Sequence, residues 1–413
     1  MKIRLLATAI LACTAAADAA AHDFLGDWPV KTRTEAGYEF GFKGLYQYDL
    51  NAFSGDTSNP QTGAELFSDA NAWRRKEFGA YGKTPWGLDF QLGYDFTVAG
   101  GTSAGWVDNF VRYTSPAAGA FRIGQFKTPV GWDEAGTSSS ATTFMERALP
   151  VQAASAGRRI GVDWMYAGLP GWILYAAYFD GGDLNGDNDG HGPAARLAWA
   201  PVNQQPDGAA ADSRVLHLGI AASREQREGT TDGRGVYTPP SARFRARPEA
   251  NLRGTRLVDT GALTEPGTID RLGFEAAWIR GPLLLQAEYL SFGASPAGRP
   301  DFTGTGYYVA GSWVLTGESR PYRNGAIGNV RPARPHGAFE LAVRYSTVDL
   351  DDGPVRGGRQ QDWTLGANWY VGQHLKLQAN HVWANSTKAY GGSTGADVQI
   401  DPRIFEMRAQ VSF

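Results

Sequence analysis

From Arg403 to the last residue the chain alternates without interruption. Phe405, Met407, Ala409, Val411 and Phe413 fall on one side, and Ile404, Glu406, Arg408, Gln410 and Ser412 on the other. A period of two marks an extended strand with one apolar and one polar face. The same alternation runs through residues 88–96, 339–346, 362–369 and 375–380. Each alternation lies within a strand-like segment of about ten residues, which is the length of a tilted strand that crosses a membrane. Sixteen segments are predicted, starting near residues 38, 72, 86, 105, 119, 157, 172, 191, 213, 268, 283, 304, 337, 361, 373 and 402. An even number suits a single-chain bacterial barrel.

The connections form a second pattern. Those after odd-numbered segments are long, at 51–71, 97–104, 127–156, 181–190, 225–267, 293–303, 349–360 and 385–401. Those after even-numbered segments are short, except 201–212 and 315–336. Outer-membrane barrels have short periplasmic turns and longer external loops. The expected fold is therefore all-β, a 16-stranded antiparallel transmembrane β-barrel with its C-terminus on the periplasmic side. A soluble sandwich would alternate too, but with shorter strands and no long–short rhythm.

Composition agrees with this reading. The 413 residues include 53 Gly and only 4 Met, and aromatics make up 12%. Glycine supplies turn conformations, and aromatic side chains favour pleated surfaces. The net charge of −3 offers nothing globally basic for nucleic acid. Lys2 and Arg4 precede an apolar run to Cys13, followed by small-residue cleavage sites ending at Ala21, so residues 1–21 read as a secretory signal. The apolar run is too short for a membrane anchor. Its removal takes away the sole cysteine and leaves residues 22–413 as one expected domain. No linker or internal repeat divides them.

The stretch 121–150, FRIGQFKTPVGWDEAGTSSSATTFMERALP, resembles the constriction-loop segment of the phosphate-selective porin O/P family of outer-membrane channels. WRRKEFGAYG (73–82), GSWVLTGESRPYRNGA (311–326) and LGANWYVGQHLKLQANHV (365–382) are similar to the same family. The resemblance implies a barrel of sixteen strands, usually trimeric, whose third external loop folds inward to narrow the pore. It also implies uptake of phosphate or polyphosphate past lumenal arginines, with lysines at the narrowest point. The terminal Phe413 is placed like the signal read by barrel-assembly machinery.

Parity then assigns faces. Arg75, Arg112, Arg159, Arg196, Arg271, Arg344 and Arg408 are expected in the lumen, with Arg74 and Lys76 near its rim. Arginine suits anions because its planar fork donates two hydrogen bonds to phosphate or carboxylate. The competing reading is that these arginines neutralise Asp89, Asp95, Asp108, Asp163, Glu275, Glu340 and Glu406, which share that face. The third loop departs from the family. Between Lys127 and Arg147 it has no lysine, but carries Asp133, Glu134, Ser138, Ser139 and Ser140. Lys127 and Arg147 remain as candidate basic edges of the eyelet.

Residues 224–256 contain eight arginines against four acids, which reads as an external basic funnel or as a solvated loop touching lipopolysaccharide. Arg320, Arg323, Arg331 and Arg334, against Glu318, suggest a basic periplasmic rim. Asp183, Asn185, Asp187 and Asp189 are a candidate calcium cluster that lacks the downstream bidentate glutamate. No catalytic motif of the GxSxG or HExxH type occurs and no cofactor is expected, so an enzyme is not. The expectation is a homotrimeric channel in the bacterial outer membrane for small anionic or polar solutes, with phosphate or polyphosphate as candidate solutes. The alternatives are a general non-selective porin, or a surface receptor using 225–256.

Overall fold

The computed structural model describes residues 30–98, 104–186, 190–205, 213–231, 233–296, 298–389 and 396–413. The expected signal segment, with Cys13, lies outside them. Among the described residues no helix is long and apolar enough to cross a membrane, and the chain is built almost wholly of strands.

Sixteen of these form the barrel: β1 (Glu39–Gly55), β2 (Ala70–Lys83), β3 (Leu88–Asp95), β4 (Asn109–Ser115), β5 (Gly119–Lys127), β6 (Arg158–Tyr166), β7 (Trp172–Asp180) and β8 (His191–Gln204), then β9 (Arg214–Gln226), β10 (Pro266–Arg280), β11 (Leu283–Pro296), β12 (Phe302–Val314), β13 (Ala338–Asp352), β14 (Val355–Val371), β15 (Leu375–Ala389) and β16 (Pro402–Ser412). Each strand pairs antiparallel with its neighbours in sequence, and β16 returns to β1, from Leu45 opposite Ser412 to Gly55 opposite Pro402. The closing strand of the sequence pattern therefore has no free edge, which removes the unpaired backbone that lipid would not tolerate.

The outward faces are apolar. Leu92, Ile123, Leu285, Val309 and Leu365 are half exposed or more. Aromatic residues gather toward the two ends of the strands. Trp172 stacks on Trp199, and Phe339 on Trp369, at the short-turn end, while Tyr345 meets Trp363 toward the other. Such girdles sit at the two membrane–water interfaces.

Two expectations about connections need correction. The gap 349–360 is not a loop: β13 and β14 continue into it as far as a turn at Gly353 and Pro354, with Gly353 at φ 54. Asp349 lies opposite Arg359 and Asp351 opposite Arg356, so the charges that read as loop are cross-strand partners. The connection 315–337 is long, as read, and its Arg323, Arg331 and Arg334 are exposed, but Arg320 is not part of a rim. The connection climbs into the lumen, where Arg320 is buried against Glu340 at 2.7 Å and also donates to Tyr370 Oη.

The main apolar core lies inside the barrel. The helix α1 (Leu149–Ala154) and loop residues Ala242, Phe244, Ala246 and Val258 pack on inward-facing Leu290, Phe292, Phe302, Tyr308 and Val348. The inner wall of β10–β13 is thus apolar there, and β11 is hydrophobic on both faces over part of its length. This packing fills one side of the lumen and leaves a passage along the other.

Candidate functional site

The third long connection, residues 128–157, enters the barrel and is held there by its backbone. At its start Gly131 has φ 84, and a Cβ would stand 2.8 Å from Glu288 Oε1. The missing side chain lets the Trp132 and Asp133 amides both donate to the Glu288 carboxylate. Tyr308 Oη donates to the same carboxylate at 2.8 Å.

Farther along, the wall donates to a row of loop carbonyls. Lys376 Nζ reaches Ser140 O at 2.8 Å and Thr142 O at 3.0 Å, and Gln410 reaches Ser140 O at 3.0 Å. Asn368 holds Thr143 O at 2.9 Å, Arg408 holds Met145 O at 2.6 Å, and Arg344 holds Glu146 O at 2.9 Å. From the opposite end Arg320 donates to Ala141 O at 3.1 Å. The 315–337 segment touches the loop again through a bridge between Thr137 and Ile327 and the stacked rings of Trp132 and Tyr322. Loop and segment, entering from opposite ends of the barrel, meet inside it.

The arginines expected in the lumen are there, and the described contacts pair most of them with acids. Arg112 meets Asp89, Arg196 meets Glu275, and Arg159 and Arg271 share Glu225. Arg344 grips Glu249 and Arg408 grips Asp49. Most of this set is therefore spent on holding the loops and balancing the wall. Arg74 corrects the parity reading. A β-bulge sits between the pairs Gln47–Arg75 and Tyr48–Trp73, so Arg74 is the extra residue. The bulge turns consecutive arginines inward. Arg74 binds Glu146 at 2.7 Å, and Arg75 binds Glu77 at 3.1 Å.

The passage has two chambers. The one at the long-loop end, about 350 Å³, is lined by Arg74, Arg75, Lys127, Arg147, Arg158, Arg243, Arg245, Arg247, Arg256 and Arg408. The acids on its lining are Glu134 and Glu146. The other chamber, about 660 Å³, is lined by Lys43, Arg122 and Arg196, with Glu77, Asp108 and Ser138–Ser140. Lys127, Glu134, Ser139 and Arg158 line both, and mark the eyelet between them.

At this eyelet Glu134 joins Lys127 Nζ at 3.1 Å and Arg147 Nε at 2.8 Å, while Asp133 takes Arg147 Nη1 at 3.1 Å. Burial opposes ionisation of Glu134, but Arg147 and Lys127 outweigh it and hold the carboxyl down at about 2. Glu146 is likewise buried, yet Arg74 and Arg408 hold it well below the usual carboxylate range.

Arg243, Arg245, Arg247 and Arg256 come from the fifth long connection. In residues 241–247, S-A-R-F-R-A-R, apolar and basic residues alternate. Ala242, Phe244 and Ala246 join the inner core, which turns the arginines to the chamber. This alternation is visible in the sequence inside what otherwise reads as a loop. Arg243 pairs with Asp259 at 2.6 Å. Burial, with Arg247 and Arg245 alongside, pulls the Arg256 guanidinium down to about 10, so it remains a cation at neutral pH.

The calcium cluster is not assembled by the described residues. Asn185 bonds the Trp106 amide at 2.6 Å and its carbonyl at 3.0 Å, and Asp187 and Asp189 lie outside the description. Phe413 exchanges backbone bonds with Gly44 and stacks on Tyr46 at the barrel seam.

Comparison with known proteins gives one matching family model, "Phosphate-selective porin O and P", over residues 40–413. An uncharacterized protein of Caulobacter vibrioides is 30% identical over 331 residues, 75% of this chain and 61% of that protein. The chain thus spans less than two thirds of that relative. Porin O of Pseudomonas aeruginosa is 28% identical over 390 residues, covering 85% of this chain and 84% of its own. Among solved structures, the trimer form of OmpT from Vibrio cholerae superposes with TM-score 0.56 at 13% identity, covering 91% of this chain and 99% of that one.

Proposed function

We propose that this outer-membrane channel, which belongs to the phosphate-selective porin O and P family, passes small anions in preference to cations, with inorganic phosphate among them. The observation that carries the reading is the lining of the outer chamber, where ten basic side chains meet two acids already engaged in ion pairs. A basic chamber raises the local concentration of anions ahead of the narrowest point. There Lys127 and Arg147 offer donors, and the hydroxyls of Ser138, Ser139 and Ser140 offer further hydrogen bonds below. Hydroxyls bind without adding charge, which favours release over retention, and conduction needs both. The family name and the likeness to Porin O support phosphate as a solute. In this reading the chain assembles as a homotrimer in lipid and lipopolysaccharide, and Phe413 is presented to the assembly machinery.

The test is the reversal potential of the purified protein in a planar bilayer under a potassium chloride gradient. A chloride-selective value that shrinks when phosphate is added supports the proposal. A value at zero or toward potassium overturns it and leaves a general porin.

A further inference from the structure

We infer that Glu134 is a tethered counter-anion: in the resting channel its carboxylate occupies the anion position of the eyelet, and a permeating phosphate must displace it. This rests on the anion-channel reading and assigns Glu134 as a specificity-determining residue within it. Among the described residues Glu134 is the one acid that lines both chambers, so it stands at their junction rather than on one wall. Its two oxygens are divided between Lys127 Nζ at 3.1 Å and Arg147 Nε at 2.8 Å, as two oxygens of a bound phosphate would be. The neighbouring Asp133 does not line either chamber. Its amide is fixed to Glu288 at 2.9 Å, and its carboxylate holds Arg147 from behind at 3.1 Å. One acid thus positions the arginine while the next occupies its passage side.

Displacement exchanges like for like. The arriving anion takes the hydrogen bonds of Lys127 and Arg147, and the Glu134 side chain moves off into the adjoining 660 Å³ chamber. The anion takes over the Lys127 and Arg147 Nε donors that Glu134 gives up, so the exchange avoids the penalty of a buried, unpaired charge. The competing carboxylate keeps affinity low, which a conducting site requires. A loop without a lysine then follows naturally, since the eyelet cations come from either end of the loop and are tuned by an acid within it.

Chloride current is measured through Glu134→Gln in planar bilayers while inorganic phosphate is titrated in, with Glu35→Gln as a control for the same charge change at an exposed site outside the passage. The expected result is phosphate block at concentrations about tenfold lower in E134Q than in wild type, with longer closures, and no such shift in E35Q. Equal block in E134Q and wild type overturns the inference even if both are anion-selective. A wild-type channel without anion selectivity overturns the underlying reading, a result read from the wild type alone. Should E134Q fail to fold, the wild type decides. Block only at about millimolar phosphate or above supports a resident competitor, and block at about micromolar phosphate overturns it.

Discussion

The guanidinium of Arg408 on β16 holds both carboxylate oxygens of Asp49 on β1, each at 2.7 Å, across the seam where the barrel closes. The same group binds Met145 O and Glu146, so one side chain ties the seam to the inward loop. Replacing Arg408 by Met leaves Asp49 buried without its cation, a change that costs about 3–5 kcal/mol. The temperature at which the folded band disappears on a gel should drop clearly. Combining it with Asp49→Asn should recover part of the loss.

Arg320 is expected to govern pore width rather than anion capture. It joins the 315–337 segment to Glu340 and Tyr370 on the wall and to Ala141 of the loop. Arg320→Ala should loosen both inward segments from the wall, leaving the Thr137–Ile327 bridge and the Trp132–Tyr322 stack as contacts between them, while the strand ladders stay paired. Single-channel conductance should rise, with more flicker, and the barrel should still shift in mobility on heating.

The outer chamber should act at a distance from the eyelet. Arg245→Gln with Arg256→Gln removes two charges from its lining. The chloride-to-potassium permeability ratio should fall about two- to fivefold, and more at low salt, because screening shortens the reach of these charges. Heat stability should hardly change, since neither guanidinium is ion-paired among the described contacts. Equal ratios in wild type and variant would show that the funnel contributes nothing.

The two loop acids set an acid limit. Arg147 and Lys127 hold Glu134 down at about 2, and Arg74 and Arg408 hold Glu146 well below the ordinary 4.5. For a depressed carboxylate the stabilisation is fully present above the unfolded value and is lost as pH falls through the folded one. The loop should therefore stay anchored at pH 4 and loosen only toward pH 2. Conductance recorded from pH 7 downward should stay level to about pH 4, then become large and noisy below about pH 3. A transition near pH 5 would contradict the pairing described for these acids.

Much of this fold was legible because period-two alternation records lipid on one side and water on the other. Fifteen of the sixteen starts fall within about four residues of the observed strands, inside the usual boundary error. The fourteenth begins six residues early, at Val355, because Asp349, Asp351, Arg356 and Arg359 serve as strand partners beyond the bilayer. The inward faces of Arg344 and Arg408 were also readable. Their loop partners were not, since Glu249 and Met145 come from connections whose path no periodicity describes. Arg74 escaped the parity count for a local reason, as a bulge shifts the register by one and reverses the face. The apolar inner wall escaped because alternation shows which positions are apolar but not which side is wet.

The inward loop is gripped through its main chain: Lys376, Asn368, Arg344, Arg320 and Gln410 all take carbonyl oxygens, whatever side chains those residues carry. Scaffold and filter are therefore written in separate alphabets. Ser138, Ser139 and Ser140 can be exchanged for lysine, asparagine or glutamate without untying the segment that presents them. One barrel can then be retuned from solute to solute by a few codons, with its architecture left standing.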